Sequence, residues 1–385
     1  MIKTNFRNWH IFIYLALMLS ISIYSYKKAE YNWDILPYMA VILQYDGNTD
    51  FEKIHKEVYS ITKQSVSKVV FDKLIDSTSA YRKSVFNNST EFKLQLPFYV
   101  VKPLYTWLSY FFYKSGIPLQ KALVLPSIIS FFLISLILFY WMRNYYMRTS
   151  TFIFSTLLMF CPFMLQTVKL ATPDLTSALL LLAGLYSYIE KKSFNLAVLF
   201  FVLSLFARLD NVIPVVFLGI TIFQIENRKE GLVLRKYILF AVSVLASCFF
   251  VSWQAHRFGW GIFYYPDFAT HLNPYYDIHC KFSLSGYFSV FKSQLMTGLY
   301  YSSLVIFLFL GFILYCFSKI NNTKVNTVET TFTIAFLASI VVRFMMQPVI
   351  ADRFYLAYYL ATSIFVLKVY FLNHKDSNKY VRIKV

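Results

Sequence analysis

Charge is what this sequence has least of. Asp, Glu, Lys and Arg make up 15% of its 385 residues, beside 58% hydrophobic and 20% aromatic residues, whereas soluble domains carry about 25% charged residues. That shortage excludes an ordinary soluble domain. Acidic residues are the scarcer sign, 19 against 37 basic ones, for a net charge of +18. Taken alone, that balance suggests nucleic acid. The basic residues, however, fall in the breaks between apolar runs, where orientation in a membrane accounts for them, so no nucleic-acid partner is expected. The four cysteines are scattered, Cys161, Cys248 and Cys316 within apolar runs and Cys280 in a loop, which excludes a disulfide framework or zinc-site spacing. Histidines number six, with His256, His271 and His279 in one segment, and no metal is assigned to them. There is no Walker loop, nucleophile elbow or dinucleotide fingerprint, and no internal repeat or low-complexity linker.

What the chain does have is a succession of apolar runs. A spanning helix needs about 20 mostly apolar residues, and such runs fall at 11–26, 122–142, 149–166, 175–189, 194–206, 212–225, 238–253, 299–317, 332–346 and 355–372. The first follows Lys3 and Arg7 without a small-residue cleavage site after it, so it reads as a retained helix rather than a signal peptide. With the N-terminus cytoplasmic, the inward ends carry Arg143 and Arg148, Lys191 and Lys192, Arg228 to Lys236, Lys319 and Lys324, and a basic tail, as the positive-inside bias requires. The expected fold class is therefore an all-α polytopic membrane protein of about ten transmembrane helices. It forms one domain over 1–385. A long first external loop at 27–121 carries amphipathic surface helices, and a second external segment at 256–297 is rich in aromatic residues. The stretch 98–113 is laid along the membrane surface, because a further span there would place every later basic cluster outside.

This topology gathers Asp34, Asp46, Asp174, Asp210 and Asp352 on one side, with Lys102, Lys169, Arg208 and Arg353. Ionisable groups at membrane depth are costly and mark functional sites by default, although each can also be a helix end in water. Asp34, in Asn32-Trp33-Asp34-Ile35-Leu36-Pro37-Tyr38, is either a general base aimed by interfacial Trp33 and Tyr38 or a helix cap. Thr172-Pro173-Asp174 opens a helix, with Thr172 as a candidate cap and Asp174 at the positive end of the dipole. Arg208 with Asp210, and Asp352 with Arg353, read either as phosphate-binding sites or as ion pairs that make helix ends tolerable in lipid. The aromatic residues Trp253, Trp260, Tyr264, Tyr265, Tyr275 and Tyr276 fit interfacial anchoring better than sugar stacking.

In layout, the chain resembles the GT-C superfamily of membrane glycosyltransferases, in particular the protein mannosyltransferase and lipid A aminoarabinose transferase group, best over its first half. The likeness rests on Asp34 near the start of a long first loop, on Val101-Lys102-Pro103-Leu104-Tyr105-Thr106-Trp107-Leu108 followed by Ser115-Gly116 and Leu125-Pro126-Ser127, on Thr172-Pro173-Asp174-Leu175, and on Asp352-Arg353-Phe354. The chain departs from that group in having Asp34-Ile35 for an Asp-Glu pair, one Pro at a double-Pro site, and Thr172 for a common Arg. The resemblance implies inverting transfer of a sugar from a polyprenyl-phosphate donor to a glycan, lipid or protein hydroxyl outside the cytoplasm. Asp34 would be the catalytic base, and Lys102, Asp174, Arg208, Asp210 and Arg353 would bind substrate. No cofactor is certain, and a divalent cation stays open. The abundance of Lys, Asn, Ile, Tyr and Phe is compatible with a bacterial inner membrane, with both termini cytoplasmic. A lipid-linked-glycan flippase or transporter is the first rival and should show mid-membrane charges and related halves. An envelope glycan polymerase, the second, should place its long loop late.

Overall fold

The computed structural model describes residues 9–75, 80–230, 234–255, 284–321 and 324–382. Its regular structure is α-helical, with short 3-10 turns and an isolated parallel bridge between Glu30 and Leu170. In chain order the helices are α1 Trp9–Lys27, α2 Ile35–Tyr45, α3 Phe51–Ser65, α4 Lys68–Ile75, α5 Ala80–Asn87, α6 Ser89–Leu94, α7 Pro97–Val100, α8 Pro103–Lys114, α9 Leu119–Arg143 and α10 Arg148–Met159. They continue as α11 Pro162–Thr167, α12 Asp174–Ile189, α13 Phe194–Ala207, α14 Val212–Glu230, α15 Leu234–Gln254, α16 Leu284–Tyr301, α17 Leu304–Asn321, α18 Lys324–Met346 and α19 Leu356–Arg382.

Five of the described helical stretches are long and apolar enough to cross a membrane: Trp9–Lys27, Leu119–Arg143, Leu209–Asn227, Leu234–Gln254 and Val328–Met346. A sixth arises if α16 and α17, which meet at 77°, count as one broken span. The chain is thus an all-α protein with membrane-spanning potential. Several apolar runs make shorter helices than the sequence suggests. The run at 149–166 breaks at Phe160 and Cys161, because Pro162, at the first position of α11, has no N–H to continue the ladder of α10. The run at 299–317 breaks at Ser302 and Ser303. With 16 and 14 residues, α12 and α13 rise only about 24 and 21 Å against a hydrocarbon core of about 30 Å.

Small and hydroxyl residues hold the bundle together. Ser127 of α9 donates to the Thr172 carbonyl at 2.8 Å, Ser130 meets Thr176 of α12 at 3.0 Å, and Tyr14 of α1 donates to the Ser135 carbonyl at 3.0 Å. Such contacts satisfy polar groups that lipid cannot, and let backbones approach. Gly184 does the same between α12 and α13, where a Cβ would lie 2.5 Å from the Phe201 ring.

Among the described residues, 27–121 hold the short helices α2 to α8. Asp50 caps α3, accepting from the amides of Glu52 at 3.1 Å and Lys53 at 3.2 Å, and Asn88 caps α6. His55, Tyr59, Phe86 and Phe92 pack as an aromatic core beneath them. The stretch laid along the surface is two helices, α7 and α8, parted at Lys102. In α8, Tyr105 turns inward and donates to the Leu123 carbonyl at 2.7 Å, while Trp107 and Phe111 are exposed one turn apart. Of the aromatic segment 256–297, residues 256–283 with their histidines and Trp260, Tyr264, Tyr265, Tyr275 and Tyr276 lie outside the described residues, and 284–297 belong to α16.

The bridge at Glu30 and Leu170 positions the site. The Glu30 amide donates to the Lys169 carbonyl at 2.9 Å, and the Lys169 ammonium lies 3.1 Å from the Glu30 carboxylate. This joins the linker after α1 to the linker before α12, and Asp34 and Asp174 each lie four residues beyond it.

Candidate functional site

A cavity of about 190 Å³ opens where α2, α7, α12, the turn after α13 and the turn before α19 converge. All six residues singled out from the sequence as catalytic or substrate-binding, namely Asp34, Lys102, Asp174, Arg208, Asp210 and Arg353, line it. Asp46 and Lys169 lie elsewhere: Asp46, at the far end of α2, pairs with Lys114 at 2.8 Å, and Lys169 pairs with Glu30.

Asp34 directly precedes α2 but makes no capping bond, so the cap reading fails. Its carboxylate instead accepts from Asn32 Nδ2 at 2.9 Å, Tyr99 Oη at 3.2 Å and Arg353 Nη1 at 3.1 Å. Burial works against the Asp34 charge, but Arg353 and Lys102 outweigh it, and with hydrogen bonds from Arg353 and Tyr99 they hold the carboxyl below the usual carboxylate range. The side chains of Asp34 and Arg353 are 23% and 29% exposed, so both groups meet the cavity. Tyr38, expected at the membrane interface, is buried against the cavity wall with its ring 4.8 Å from that of Tyr99. The reason is that α2 is buried on all sides from Ile35 to Leu43, so it lies inside the protein rather than at an interface. Trp33 packs on the Tyr81 ring instead of lipid.

Arg208 is the hub of the opposite wall. Its guanidinium takes Asp210 in a fork, Nε to Oδ1 at 2.9 Å and Nη2 to Oδ2 at 2.8 Å, and Nη1 donates to Asp174 Oδ1. Such bidentate geometry is available to arginine and not to lysine. Asp174 sits in the first turn of α12, as expected from the helix dipole, but Thr172 does not cap: its hydroxyl is buried without a hydrogen-bond partner among the described residues. Asp352 and Arg353, read from sequence as a pair, diverge from the 3-10 turn they share. Asp352 accepts from the Ser303 amide and hydroxyl at 2.8 and 2.9 Å and from Tyr359 at 2.9 Å, while Arg353 reaches Asp34 and, at 3.7 Å, Asp174.

Arg343 escaped the sequence reading because it lies within an apolar run. Its Nε donates to Asp210 at 2.9 Å from α18. Phe354 lies among three guanidinium groups, those of Arg208 and Arg343 each 4.4 Å and that of Arg353 5.0 Å from its ring, which spaces like charges around a π face. Lys102, at the break between α7 and α8, has no carboxylate within ion-pairing distance among the described residues; its ammonium lies over the rings of Tyr99 and Tyr38 at 4.9 and 5.5 Å. Burial and the neighbouring Arg208 lower its pKa to about 8, against the pull of Asp34, Asp174 and Asp210.

Three carboxylates, Asp34, Asp174 and Asp210, and three cations, Lys102, Arg208 and Arg353, thus line the cavity, and Arg343 holds Asp210 from outside the lining. Lys102 is the cation left without a carboxylate at ion-pairing distance among the described residues, and an anion such as a phosphodiester would match it. Among the described residues no group of three or more His, Cys, Asp or Glu converges, and each cavity carboxylate is held by a guanidinium. Comparison with protein-family models, curated proteins and solved structures finds no match.

Proposed function

We propose that the chain is a membrane glycosyltransferase that moves a sugar from a polyprenyl-phosphate donor to a hydroxyl on the non-cytoplasmic face of a bacterial inner membrane. The observation that carries this reading is the sharing of one cavity by the Asp34 carboxylate and three cations, of which Lys102 has no carboxylate within ion-pairing distance among the described residues. A lipid-borne donor stays in the bilayer, so its enzyme works at the interface, with cations for the phosphate and a base for the acceptor. Counting α12, α13, the start of α19 and the broken α10–α11 pair with the six longer candidates gives about ten spans, with residues 27–121 outside.

In this mechanism Lys102, Arg208 and Arg353 hold the phosphate of the donor. The acceptor oxygen attacks the anomeric carbon as the bond from that carbon to the phosphate oxygen breaks, and Asp34 takes the acceptor proton. The leaving lipid phosphate gains one negative charge, which the surrounding cations stabilise more strongly than the donor's single charge. Arg353, which bonds Asp34, can turn to the phosphate and leave the carboxylate free for the proton. Asp174 and Asp210 orient Arg208, and Arg343 holds Asp210.

The test is sugar transfer from radiolabelled polyprenyl-phosphate donors to lipid-extractable and glycan acceptors in membranes, comparing wild type with Asp34→Asn at equal levels of folded protein. Transfer that disappears in the variant supports Asp34 as the base. Unchanged transfer removes it from that role, and no transfer with any donor in wild type shifts the reading to a lipid-glycan transporter.

A further inference from the structure

On the other side of Arg353 lies a second chamber, of about 310 Å³, whose chemistry is unlike that of the first. Gln294 and Gly298 lie four residues apart on one face of α16, and Ser302, directly after its end, continues that line with its amide donating to the Gly298 carbonyl at 3.0 Å. Gln166 and Thr167 approach from α11, and Asp352 and Arg353 close the remaining wall. The side-chain amides of Gln166, which is exposed, and Gln294, which is half-buried, make no hydrogen bond among the described residues. Asp352, by contrast, is fully engaged by Ser303 and Tyr359. Among the described residues Arg353 is the one cation lining this chamber, and it lines both chambers.

The contrast assigns the two substrates. A phosphate belongs with the clustered cations of the first chamber. The second offers two primary amides, each with two donors and an acceptor oxygen, and the Ser302 hydroxyl, a set suited to neighbouring hydroxyls of an uncharged polyol. Resting on the glycosyltransferase reading above, we infer that the Gln166–Gln294 chamber is the acceptor subsite and that the acceptor is a neutral glycan rather than a phosphorylated lipid or a peptide. The acceptor hydroxyl enters past Arg353 toward Asp34, and the donor sugar meets it at the boundary between the chambers.

The experiment uses the full chain in nanodiscs. Binding of a panel of neutral trisaccharides (maltotriose, mannotriose, xylotriose and chitotriose), of a Ser/Thr-containing peptide and of polyprenyl phosphate is measured for wild type, Gln166→Ala and Gln166→Ala/Gln294→Ala. Gln166 is exposed, so the single variant keeps the test sound even if the double variant folds poorly. The expected result is that wild type binds at least one trisaccharide, that the double variant loses about tenfold or more of that affinity and the single variant part of it, and that polyprenyl phosphate binds all three proteins alike. If no trisaccharide binds while polyprenyl phosphate does, or if the peptide binds in a manner the glutamine variants weaken, the acceptor assignment is overturned and the donor site stands. If polyprenyl phosphate fails to bind wild type, the glycosyltransferase reading itself falls.

Discussion

Buried charge gathers at both ends of α12, and the two clusters are built on different principles. At its N-terminal end, Asp174 joins Asp34, Asp210 and the cations around an open cavity. Beyond its C-terminal end, about 24 Å away, Glu190 accepts from Trp141 at 2.9 Å, Asn144 at 3.0 Å and Tyr145, while Glu329 of α18 meets Lys368 of α19 at 2.5 Å. Lys368 also lies over the Tyr145 ring at 4.3 Å, which links the two halves of that cluster. The Glu329 and Lys368 side chains are matched one to one and are only 3% and 9% exposed. The first cluster surrounds an open volume and includes Lys102, a cation with no carboxylate at ion-pairing distance among the described residues. Burial of ionisable groups in a membrane protein therefore does not identify a site by itself; an unmatched cation beside an open volume does.

The largest effects should split along this line. Asp34→Asn is expected to lower transfer by about 10²- to 10⁴-fold, the range for losing a general base, with little change in thermal unfolding in detergent, since Arg353 keeps Asp174. Glu329→Gln should do the reverse. It leaves Lys368 buried without its partner, at a cost of about 3–5 kcal/mol, while replacing both residues with leucine should recover most of that loss. Transfer per folded molecule should stay near wild type in both inner-end variants. An inner-end variant with full stability and no transfer would break the comparison.

Within the outer cluster, Arg208→Lys keeps the charge and discards the fork to Asp210 and the bond to Asp174. Donor affinity should fall by about tenfold to a hundredfold, read as binding of a polyprenyl phosphodiester in nanodiscs. A smaller effect is expected from pH. Because the Lys102 pKa is lowered to about 8, its ammonium is present below that value and is lost as pH rises through it. Phosphodiester affinity should therefore decline between about pH 7 and 9, and Lys102→Arg should abolish the decline because guanidinium stays charged. Asp34, held below the usual carboxylate range, does not titrate in that window. A decline that persists in Lys102→Arg would assign it to another group.

The six cavity residues were legible because each lies outside the apolar runs, in a loop or break that the topology assigns to one side, and charge is conspicuous in a sequence so poor in it. Their partnerships were not. Arg343 sits within an apolar run, and its partner Asp210 is 133 residues distant, so no local pattern links them. Asp352 and Arg353 are adjacent, and adjacency suggested a pair, but a 3-10 turn sends their side chains to different neighbours. The break of 149–166 had a local signal in Pro162 that the apolar composition masked. The bend between α16 and α17 has only two serines at the break, and nothing in the hydropathy marks it.

The smallest expected effect tests whether attraction between side chains or backbone geometry gathers the outer cluster. Lys169 and Glu30 flank the bridge that brings Asp34 toward Asp174, and their side chains are 25% and 56% exposed. An ion pair so open to solvent contributes about 0–1 kcal/mol. Lys169→Ala should therefore shift thermal unfolding barely and change transfer by less than about twofold, because the bond from the Glu30 amide to the Lys169 carbonyl at 2.9 Å survives. Glu30→Pro removes that amide donor and should harm transfer more than Lys169→Ala does. If the two variants rank the other way, the charge pair and not the backbone bridge sets the position of Asp34, and the outer cluster is assembled by the same one-to-one pairing as the inner one.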